Sequence, residues 1–542
     1  MAYTLLGQDF VPPDIRAKVT GGAKYAEDFR AEGMLFCRVL ASPLPHARVR
    51  SIDATEALAM PGVVAVLTAD EVPSFPAHET PILTNEPLYV GDRICAVAAR
   101  SEELAQEAID RIKVEYEELP YVIDPLASLF PAGPDARTDG NVVTPQGLKS
   151  IKWTAGDFAS AGDALPMGAP GVEWSFGDVE AGFAEAQFVL DESFVTASLS
   201  HQCLEPRSCM AYWQGDKVFV YGSTQSQTAV MPNLARLAGV EPDNVVYIGE
   251  FCGGGFGSKI NPYPAMGVPI YMAKKTGMPV LMRVSRAEET LFGSSRPAFQ
   301  GRIKMGFRAD GRVTAVDLFI VQQNGPYLGG GDLGGAAGAV SLVYQPLAMR
   351  YRGVQVSTNT TPTGAQRGPG QNQIAAALEP LIDKAAKELG LDRVAIRRVN
   401  AANNAAKYDS QQGPVTSAYQ REALERGAAA FEWETRRQRS GQTSGSKVTG
   451  LGIGQAFHAA GRGGLDGIVR LTPDGKLHIH CGVGNLGTFS YAATSRVAAE
   501  VLKMSWDNCI IERGDSRLGL PFSSAQSGSN TSFTMTRATY AG

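Results

Sequence analysis

Residues 252–259 read Cys-Gly-Gly-Gly-Phe-Gly-Ser-Lys and directly follow a predicted strand at 244–249. Consecutive glycines after a strand expose backbone N–H groups that no Cβ obstructs, and this arrangement suits an anionic or multi-oxygen ligand. The stretch does not fit the dinucleotide-binding fingerprint, because no helix clearly follows and no acidic residue stands at the expected distance. Lys259 also lacks the glycine spacing of a phosphate loop. On these residues alone, a glycine-rich turn and a ligand loop are equally compatible with the sequence.

Three further segments combine glycine with polar side chains. In 362–373, Arg367 stands between small residues and can present its planar donor fork to phosphate or oxo groups. Hydroxyl and amide side chains cluster in 482–490 and 526–531 without ionisable partners, which suits holding a cofactor better than acid–base chemistry. No Ser/His/Asp or Cys/His catalytic set accompanies them. The four segments together therefore favour a bound cofactor that carries the reactivity.

Composition narrows the class of protein. Lys and Arg total 50 against 55 Asp and Glu, and this net charge of −5 offers no general basic surface for nucleic acid. With 44% hydrophobic and 19% charged residues, the chain can bury large cores. No stretch reaches the ~18 apolar residues of a membrane span, and no secretory signal is recognised. None of the seven cysteines forms a CxxC pair, so we expect a reduced, cytoplasmic protein without a cysteine metal site, and His478 and His480 fit a sheet surface better than a metal site.

Periodicity divides the chain into four parts. Residues 1–125 combine short apolar strands with an amphipathic helix capped by Ser101, which indicates a compact α+β domain. Residues 126–176 are rich in Pro, Gly, Ala and Asp, and they are predicted to form a linker. Strands and helices resume over 177–445, where a helix is predicted at 374–389 and ends before Gly390. A final unit covers 446–542, after a polar boundary, with strands predicted near 468–471 and 477–481 and a helix through 492–502.

Read together, these motifs resemble the molybdopterin-binding large subunit of the molybdenum hydroxylases, the xanthine dehydrogenase and aldehyde oxidoreductase family. Gln225 and Phe256 are separated by 31 residues, which matches the family's spacing between its glutamine and phenylalanine. The stretches that carry the resemblance lie at 223–227, 253–259 and 365–368, with hammerhead-domain matches at 20–25, 42–47 and 86–92 and further matches at 201–207 and 285–289. The resemblance runs from about residue 7 to the end of the sequence.

The resemblance implies a set of cofactor-binding residues. Gln225 would contact an oxo ligand of molybdenum, and Arg367 would lie beside the metal centre. No side chain would ligate the metal directly, because a pterin dithiolene holds it. The full set implied for cofactor binding is Gln225, Gly254, Gly255, Phe256, Gly257, Ala365, Gln366, Arg367, Gly487, Thr488, Phe489, Gln526, Ser527 and Ser529.

The resemblance also implies a fold, an activity and partners. The fold is α+β: an N-terminal hammerhead domain followed by molybdopterin-binding α/β domains, the last one incomplete. The reaction is the insertion of water-derived oxygen into a C–H bond of an N-heterocycle, aldehyde or related small molecule. Electrons would pass to [2Fe-2S] and FAD groups on an iron–sulfur subunit and an FAD subunit, and the pterin is expected in its cytosine dinucleotide form. The alternative is a non-catalytic cofactor-carrier or assembly subunit that retains the fold.

Departures from the family pattern modify the expected substrate. Ile260 stands where purine-oxidising members carry an acidic anchor, so xanthine is disfavoured. Gly368 replaces the copper-bridging cysteine of carbon monoxide dehydrogenases, which argues against that activity. Pro369 replaces a common phenylalanine, so Ile260 and Pro369 are the predicted substrate-pocket residues. Thr488 and Phe489 replace the last two residues of the usual Gly-Gln-Gly.

The family's general-base glutamate has no counterpart in this sequence. It lies in a Gly-Glu motif near the end of a longer chain, and 531–542 holds no such motif. Glu205 belongs to a motif outside the metal shell in the family, and Glu379 lies on a helix past the arginine loop. Three explanations remain open: a split subunit with a second molybdopterin-domain chain, a truncated sequence, or a non-catalytic relic. We favour a missing or separate piece that packs on 450–542, where apolar surface is expected to be exposed.

Overall fold

The computed structural model describes residues 3–76, 78–458, 460 and 464–542. The strands of the first half are β1 (Leu35–Ala41), β2 (Ala47–Asp53), β3 (Val63–Thr68), β4 (Arg93–Ala99), β5 (Lys113–Glu118), β6 (Val142–Thr144), β7 (Gly147–Lys149), β8 (Val172–Phe176), β9 (Phe188–Thr196), β10 (Leu199–Ser200), β11 (Cys209–Gln214), β12 (Lys217–Tyr221) and β13 (Val245–Ile248). Those of the second half are β14 (Val280–Met282), β15 (Ser295–Arg296), β16 (Phe299–Phe307), β17 (Val313–Gln323), β18 (Ala348–Val356), β19 (Lys407–Tyr408), β20 (Gly413–Pro414), β21 (Thr443–Ser444), β22 (Lys447–Val448), β23 (Ile468–Leu471), β24 (Leu477–His480) and β25 (Cys509–Glu512).

The α-helices between these strands are mostly short. They are α1 (Ile15–Val19), α2 (Thr55–Leu58), α3 (Glu102–Ile109), α4 (Pro125–Leu129), α5 (Ala155–Ala159), α6 (Val179–Ala184), α7 (Met231–Ala238), α8 (Gly267–Thr276), α9 (Arg286–Phe292), α10 (Asp332–Val343), α11 (Gln371–Glu388), α12 (Arg393–Asn400), α13 (Gln420–Ala430), α14 (Trp433–Arg436), α15 (Ser490–Leu502) and α16 (Thr531–Ala541). The predicted helix after Ser101 is confirmed as α3, and the Ser101 hydroxyl accepts a hydrogen bond from the Leu104 N–H at 3.2 Å. No helix in the described part of the chain is long and apolar enough to cross a membrane.

The first sheet joins strands from two distant parts of the sequence. Its order is β13-β12-β11-β14-β1-β4-β3, and β1 pairs in antiparallel fashion with β4 and in parallel with β14, where Leu35 lies opposite Val280. Both residues are fully buried in one hydrophobic core, which helix α8 also fills. The domain predicted for residues 1–125 therefore shares its sheet and its hydrophobic core with later strands. Strands β11 to β14 are needed to cover the other edge of β1, because an uncovered edge and core face would meet water.

The second sheet contains the long central strands of the molecule. Its order is β7-β6-β18-β17-β16-β9, with β8 also paired to β18, and helices α10 and α11 pack against its buried face. Residues 126–176, predicted to be a linker, supply β6, β7, β8 and helix α5, so that prediction is wrong. Trp153 explains why: it is buried and packs edge-on against Phe319 of β17, with ring centroids 5.7 Å apart. Long-range apolar contacts stabilise these short elements, and such contacts leave little local periodicity.

A third, smaller unit follows residue 464. Strands β23, β24 and β25 form a sheet beside α15 and α16, which pack on each other. The predicted strands near 468–471 and 477–481 and the predicted helix through 492–502 are confirmed. The unit exposes large apolar side chains on both its sheet and its last helix: Ile468, Leu471, Ile510, Phe533 and Tyr540.

The beginning of the chain contacts this third unit. The Leu5 N–H donates to Oε2 of Glu500 at 2.6 Å, and the Arg496 guanidinium donates to the Gln8 carbonyl at 2.9 Å. The buried Asp14 carboxylate accepts a hydrogen bond from the Asn485 amide at 2.7 Å. The N-terminal segment thus fixes α15 and the loop before it against the rest of the molecule.

Strand direction explains where the glycine-rich segments lie. Strands β12 and β13 run parallel, with Tyr221 opposite Ile248, so the loops that follow them leave the sheet at the same edge. Isolated bridges then connect Ser226 to Val483 and Ile248 to Asp515. The third unit is thereby drawn to the carboxyl ends of these strands, which is the usual place for a ligand in a sheet with parallel strands.

Candidate functional site

Gln225 lies at the centre of the converging segments. Its side chain is buried, and Oε1 accepts hydrogen bonds from the N–H groups of Gly257 at 2.8 Å and Lys259 at 3.3 Å. Its Nε2 donates to the Gln526 carbonyl at 2.6 Å. An amide nitrogen carries two hydrogens, so Gln225 retains one further donor for a ligand. The structure brings Gln225, the glycine loop and Gln526 together, and their role toward a cofactor stays a prediction.

The glycine loop has no room for side chains. A Cβ on Gly255 would lie 2.5 Å from Oε1 of Gln225, and one on Gly257 would lie 2.1 Å from the Ala365 carbonyl oxygen. Gly254 and Gly257 also adopt positive φ values of +104° and +113°. Phe256, within the same loop, adopts φ +54°, and its side chain is 43% exposed to solvent. The loop is therefore a cradle of close backbone approaches, not a mobile surface turn.

The arginine segment packs directly on this cradle. The Arg367 N–H donates to the Phe256 carbonyl at 2.7 Å, and Gln366 donates from Nε2 to the Ser200 carbonyl at 3.1 Å. The Arg367 side chain is exposed and makes no hydrogen bond or ion pair with the residues that the structure describes. Its donor fork is therefore free to meet a ligand placed against the glycine loop.

The third unit supplies two helix starts next to the cradle. The Gln526 N–H donates to the Gln225 carbonyl at 2.9 Å, and Nε2 of Gln526 donates to Ser490 Oγ at 3.3 Å and to the Gly484 carbonyl. Helix α15 begins directly after Gly487, Thr488 and Phe489, and α16 begins just after Gln526, Ser527 and Ser529. Neither start is capped by a side-chain oxygen, and Phe489 and Ser529 hold positive φ values of +57° and +51°. Uncapped N–H groups and the positive ends of two helix dipoles favour an anion here.

A buried ion pair between Lys259 and Glu205 stabilises the glycine loop. Lys259 is fully buried, and its ammonium group donates to the Glu205 carbonyl at 2.9 Å and to Oε2 of Glu205 at 3.1 Å. The same Oε2 accepts the Gly253 N–H at 2.6 Å, and Oε1 accepts the Ala26 N–H at 3.0 Å. Although burial opposes the charged form of Lys259, neighbouring Cys252 and Glu205 hold its pKa above the ordinary value. The sequence alone did not indicate that either residue supports the loop in this way.

His201 lies between the two loops that flank the cradle. Its Nδ1 is 2.9 Å from the Ser294 carbonyl and its Nε2 is 2.8 Å from the Ala365 carbonyl. Burial lowers its pKa to about 4, so the ring is neutral near pH 7 and carries one N–H. Only one of the two carbonyls then receives a hydrogen bond at a time, and His201 positions the arginine segment without serving as a cationic ligand.

The two glutamates that the sequence analysis considered and set aside as general bases, Glu205 and Glu379, are already engaged. The Glu205 carboxylate accepts hydrogen bonds from Lys259, Gly253 and Ala26. Glu379 pairs with Arg397 at 2.9 Å and accepts a hydrogen bond from a tyrosine hydroxyl. Among the described residues, no group of three or more His, Cys, Asp or Glu side chains could hold a metal ion. A proton acceptor for catalysis is therefore not identified in the described part of the chain.

The predicted substrate-pocket residues lie on either side of the cradle. Ile260 follows Lys259 and is half-buried, and the half-buried Pro369 follows the arginine segment. A Cβ on Gly335 of α10 would lie 2.2 Å from the Pro369 carbonyl oxygen, so the two backbones are in close contact. The role of Ile260 and Pro369 toward a substrate stays a prediction.

A glycine run at 329–331 also reaches the arginine segment. A Cβ on Gly330 would lie 3.2 Å from the Ala365 nitrogen, so the two backbones approach each other closely. Sequence reasoning missed this run, although three consecutive glycines are the same signal that drew attention to 253–255.

These features define a class of site: backbone N–H groups, amides and helix starts arranged so that they suit a large, partly anionic cofactor. Comparison with known proteins agrees. The a/b hammerhead domain of aldehyde oxidase and xanthine dehydrogenase matches residues 20–120, and the molybdopterin cofactor-binding domain matches residues 165–401 and 426–542.

Individual relatives extend the match along the chain. The xanthine dehydrogenase molybdenum-binding subunit of Escherichia coli O157:H7 is 27% identical over 514 residues, covering 90% of this chain and 65% of that protein. A probable xanthine dehydrogenase subunit of Bacillus subtilis is 30% identical over 525 residues, covering 93% and 66%. The nicotinate dehydrogenase large molybdopterin subunit of Eubacterium barkeri is 30% identical over 423 residues, covering 76% of this chain and 92% of that protein.

Solved structures share the fold. Quinoline 2-oxidoreductase from Pseudomonas putida 86 superposes with a TM-score of 0.82 at 22% identity, covering 99% of this chain and 70% of that one. Aldehyde oxidoreductase from Desulfovibrio gigas superposes with a TM-score of 0.81 at 24% identity, covering 97% and 58%.

The chain belongs to the xanthine dehydrogenase and aldehyde oxidoreductase family of molybdenum-binding subunits, as its motifs predict. Its fold is a hammerhead domain followed by molybdopterin-binding domains. The chain spans just under two thirds of the length of the E. coli and B. subtilis relatives.

Proposed function

We propose that this chain is the molybdenum-cofactor-binding subunit of a hydroxylase, with the cofactor held at the Gln225 cradle. The observation that carries the proposal is the convergence of five segments on one place: the Gln225 loop, the glycine loop, the arginine segment, and the segments that lead into α15 and into α16. The residues fit the group, because the cradle at Gly255 and Gly257 leaves no room for a Cβ and the segments that lead into two uncapped helices contact it through Gln526 and Gly484. A pterin with a phosphate tail matches donors of this kind better than a bare metal ion does.

Each segment has a distinct proposed task. When bound, the cofactor supplies oxygen transfer and accepts two electrons. Gln225 would offer its remaining amide hydrogen to the bound group, and the backbone of Gly254, Gly255, Phe256 and Gly257 would fit against that group. Arg367, with Ala365 and Gln366, places a positive charge where negative charge develops on the substrate. The residues proposed to hold the pterin tail are Gly487, Thr488, Phe489, Gln526, Ser527 and Ser529.

The general base is proposed to come from a further polypeptide segment, continuous with this chain or separate, that packs on the third unit. Glu205 and Glu379 are occupied in ion pairs, so neither is free to accept a proton from water. The exposed apolar side chains of the third unit, Phe533 and Tyr540 among them, offer that polypeptide a surface. The E. barkeri relative, named a large molybdopterin subunit, is matched over 92% of its length, which supports a divided arrangement.

The substrate and the electron partners are also proposals. The apolar Ile260 and the rigid Pro369 favour an N-heterocycle, aldehyde or related compound over a purine held by a carboxylate anchor. Iron–sulfur and FAD subunits would receive the electrons. The cofactor would carry the cytosine dinucleotide form of the pterin, and the complex would be cytoplasmic. The relatives whose names describe subunits of dehydrogenase complexes support such partners.

Metal analysis of the native complex tests the central proposal. We expect roughly one molybdenum per copy of this chain in material from cells that make the cofactor, since one site is present. Loading should fall in Gln225→Ala, which removes the amide from the cradle. A complex without molybdenum would instead favour a carrier or assembly subunit that has lost its cofactor.

A further inference from the structure

Arg296 lies behind the arginine segment, in the two-residue strand β15. This strand pairs with β10 on one side and makes a parallel bridge from Ser295 to Thr363 on the other. The Gly364 N–H also donates to the Ser295 carbonyl at 2.9 Å. The backbone of Arg296 is therefore fixed beside the start of the segment that carries Arg367.

The Arg296 guanidinium grips that segment by its carbonyl side. The group is almost completely buried, and it donates to the Arg367 carbonyl at 2.5 Å and the Gly368 carbonyl at 3.1 Å. Its Nε donates to Oε1 of Gln366 at 2.7 Å. Three successive residues are thus bound by one planar donor fork, which a lysine ammonium could not reproduce.

No carboxylate among the described residues lies within ion-pair distance of Arg296. Besides the Gly368 carbonyl, Nη1 of Arg296 donates to Oε1 of Gln373 at 2.9 Å. Nε2 of Gln373 in turn donates to the buried Asp332 carboxylate at 2.7 Å. Burial lowers the pKa of Arg296 and raises that of Asp332, so each charge is held in a costly environment. The Gln373 amide bridges the Arg296 guanidinium and the Asp332 carboxylate. The other donors of the guanidinium are therefore available for backbone carbonyls.

The opposite face of the segment is held by the glycine cradle. The Arg367 N–H donates to the Phe256 carbonyl at 2.7 Å, while its carbonyl accepts from Arg296. The peptide groups on both sides of Arg367 are therefore fixed, and its side chain alone remains free of partners in the described chain. This arrangement directs the free guanidinium without consuming any of its donors.

We propose that Arg296 is a positioning residue that sets Arg367 against the cofactor cradle, an inference that rests on the proposed function. Arg296 itself touches neither substrate nor cofactor in this proposal. It acts by holding the carbonyls of Arg367 and Gly368 in place. A shift of about 1 Å in a catalytic group can cost about 100-fold in rate, so loosening this grip should be costly.

The test compares Arg296→Lys with a matched control in the native complex. Arg312→Lys is the control, because Arg312 also donates to two backbone carbonyls and an amide, those of Tyr344, Gln345 and Asn400, at the far end of α10. Hydrogen exchange followed by mass spectrometry should show faster exchange at the amides of 364–370 in Arg296→Lys and no change there in Arg312→Lys. This readout needs neither bound molybdenum nor a known substrate.

Turnover supplies the second readout. With any heterocycle or aldehyde from a panel that the wild-type complex oxidises, Arg296→Lys should lower kcat by about 10- to 100-fold, with molybdenum content retained. In an Arg367→Lys background the same substitution should add less than about twofold, because Arg296 acts through Arg367.

Two results would overturn the proposal: unchanged exchange at 364–370 in Arg296→Lys, or losses that multiply fully in the double variant. Failure of the proposed function would look different. A wild-type complex without molybdenum would contradict the proposed function. The exchange measurement would still decide whether Arg296 holds the arginine segment in place.

Discussion

At the scale of single residues, Gly257 combines two constraints that usually occur apart. Its φ of +113° disfavours any L side chain, and a Cβ would lie 2.1 Å from the Ala365 carbonyl oxygen. We expect Gly257→Ala to destabilise the protein by about 3 kcal/mol and to abolish molybdenum loading, because either the glycine loop or the arginine segment must shift. Thermal unfolding and metal analysis of the same preparation check both effects.

Gly147 provides the matched control for this substitution. Its φ of +107° is similar, but nothing lies within 4 Å of the place for its Cβ. Gly147→Ala should therefore show the backbone strain alone, about 1–2 kcal/mol, with molybdenum content unchanged. Equal losses in the two variants would mean that the close approach to Ala365 is not what matters.

Single residues also show how far sequence reasoning extends. Gln225, the glycine loop and the arginine segment were found because their chemistry is concentrated in short motifs. Arg296 was not, because one arginine before a proline at 297 is unremarkable until the fold places two carbonyls and two side-chain amides around it. Its partners lie about 70 residues away in the chain, so no local pattern could signal them.

At the scale of elements, the buried Lys259–Glu205 pair joins three separate segments. The carboxylate binds the Gly253 and Ala26 N–H groups as well as the ammonium of Lys259. We expect Lys259→Met to destabilise the protein by about 3–5 kcal/mol, because a buried carboxylate is left without its cation. The double variant with Glu205→Gln should recover part of that loss, which denaturant unfolding can measure.

An exposed pair gives the comparison. Lys384 and Glu192 also form an ion pair, but both side chains are accessible to water. Lys384→Met should cost far less than Lys259→Met, because exposed pairs contribute little. A similar cost at both sites would show that burial does not govern the Lys259 pair.

Elements with strong local signals were predicted well. The Ser101 cap and apolar stripe gave α3, and the helix before Gly390 appears as α11. Residues 126–176 failed because their strands have only three to five residues and are stabilised by pairing with β18 and by Trp153. Pairing partners far along the chain do not impose a period on a sequence.

At the scale of the whole molecule, the first sheet makes the hammerhead region dependent on later sequence. Strand β1 needs β14 on one side, and helix α8 fills the core beneath it. A fragment of residues 1–125 should therefore lack a cooperative thermal transition and sharp amide resonances. A fragment of residues 1–300, which holds all seven strands, should be markedly more ordered. A well-dispersed NMR spectrum from 1–125 would contradict this dependence.

The parallel pairing of β1 with β14 also delays completion of the first sheet during biosynthesis. Leu35 lies opposite Val280, which is 245 residues later in the chain. At 5–20 residues per second, a ribosome adds those residues in roughly 12–50 s. During that interval β1 has an open edge while it waits outside the exit tunnel for its partner. We expect the nascent chain to depend on chaperones through this delay, and the proposed cofactor site is assembled only later, once Gln526 has been synthesised and can reach Gln225.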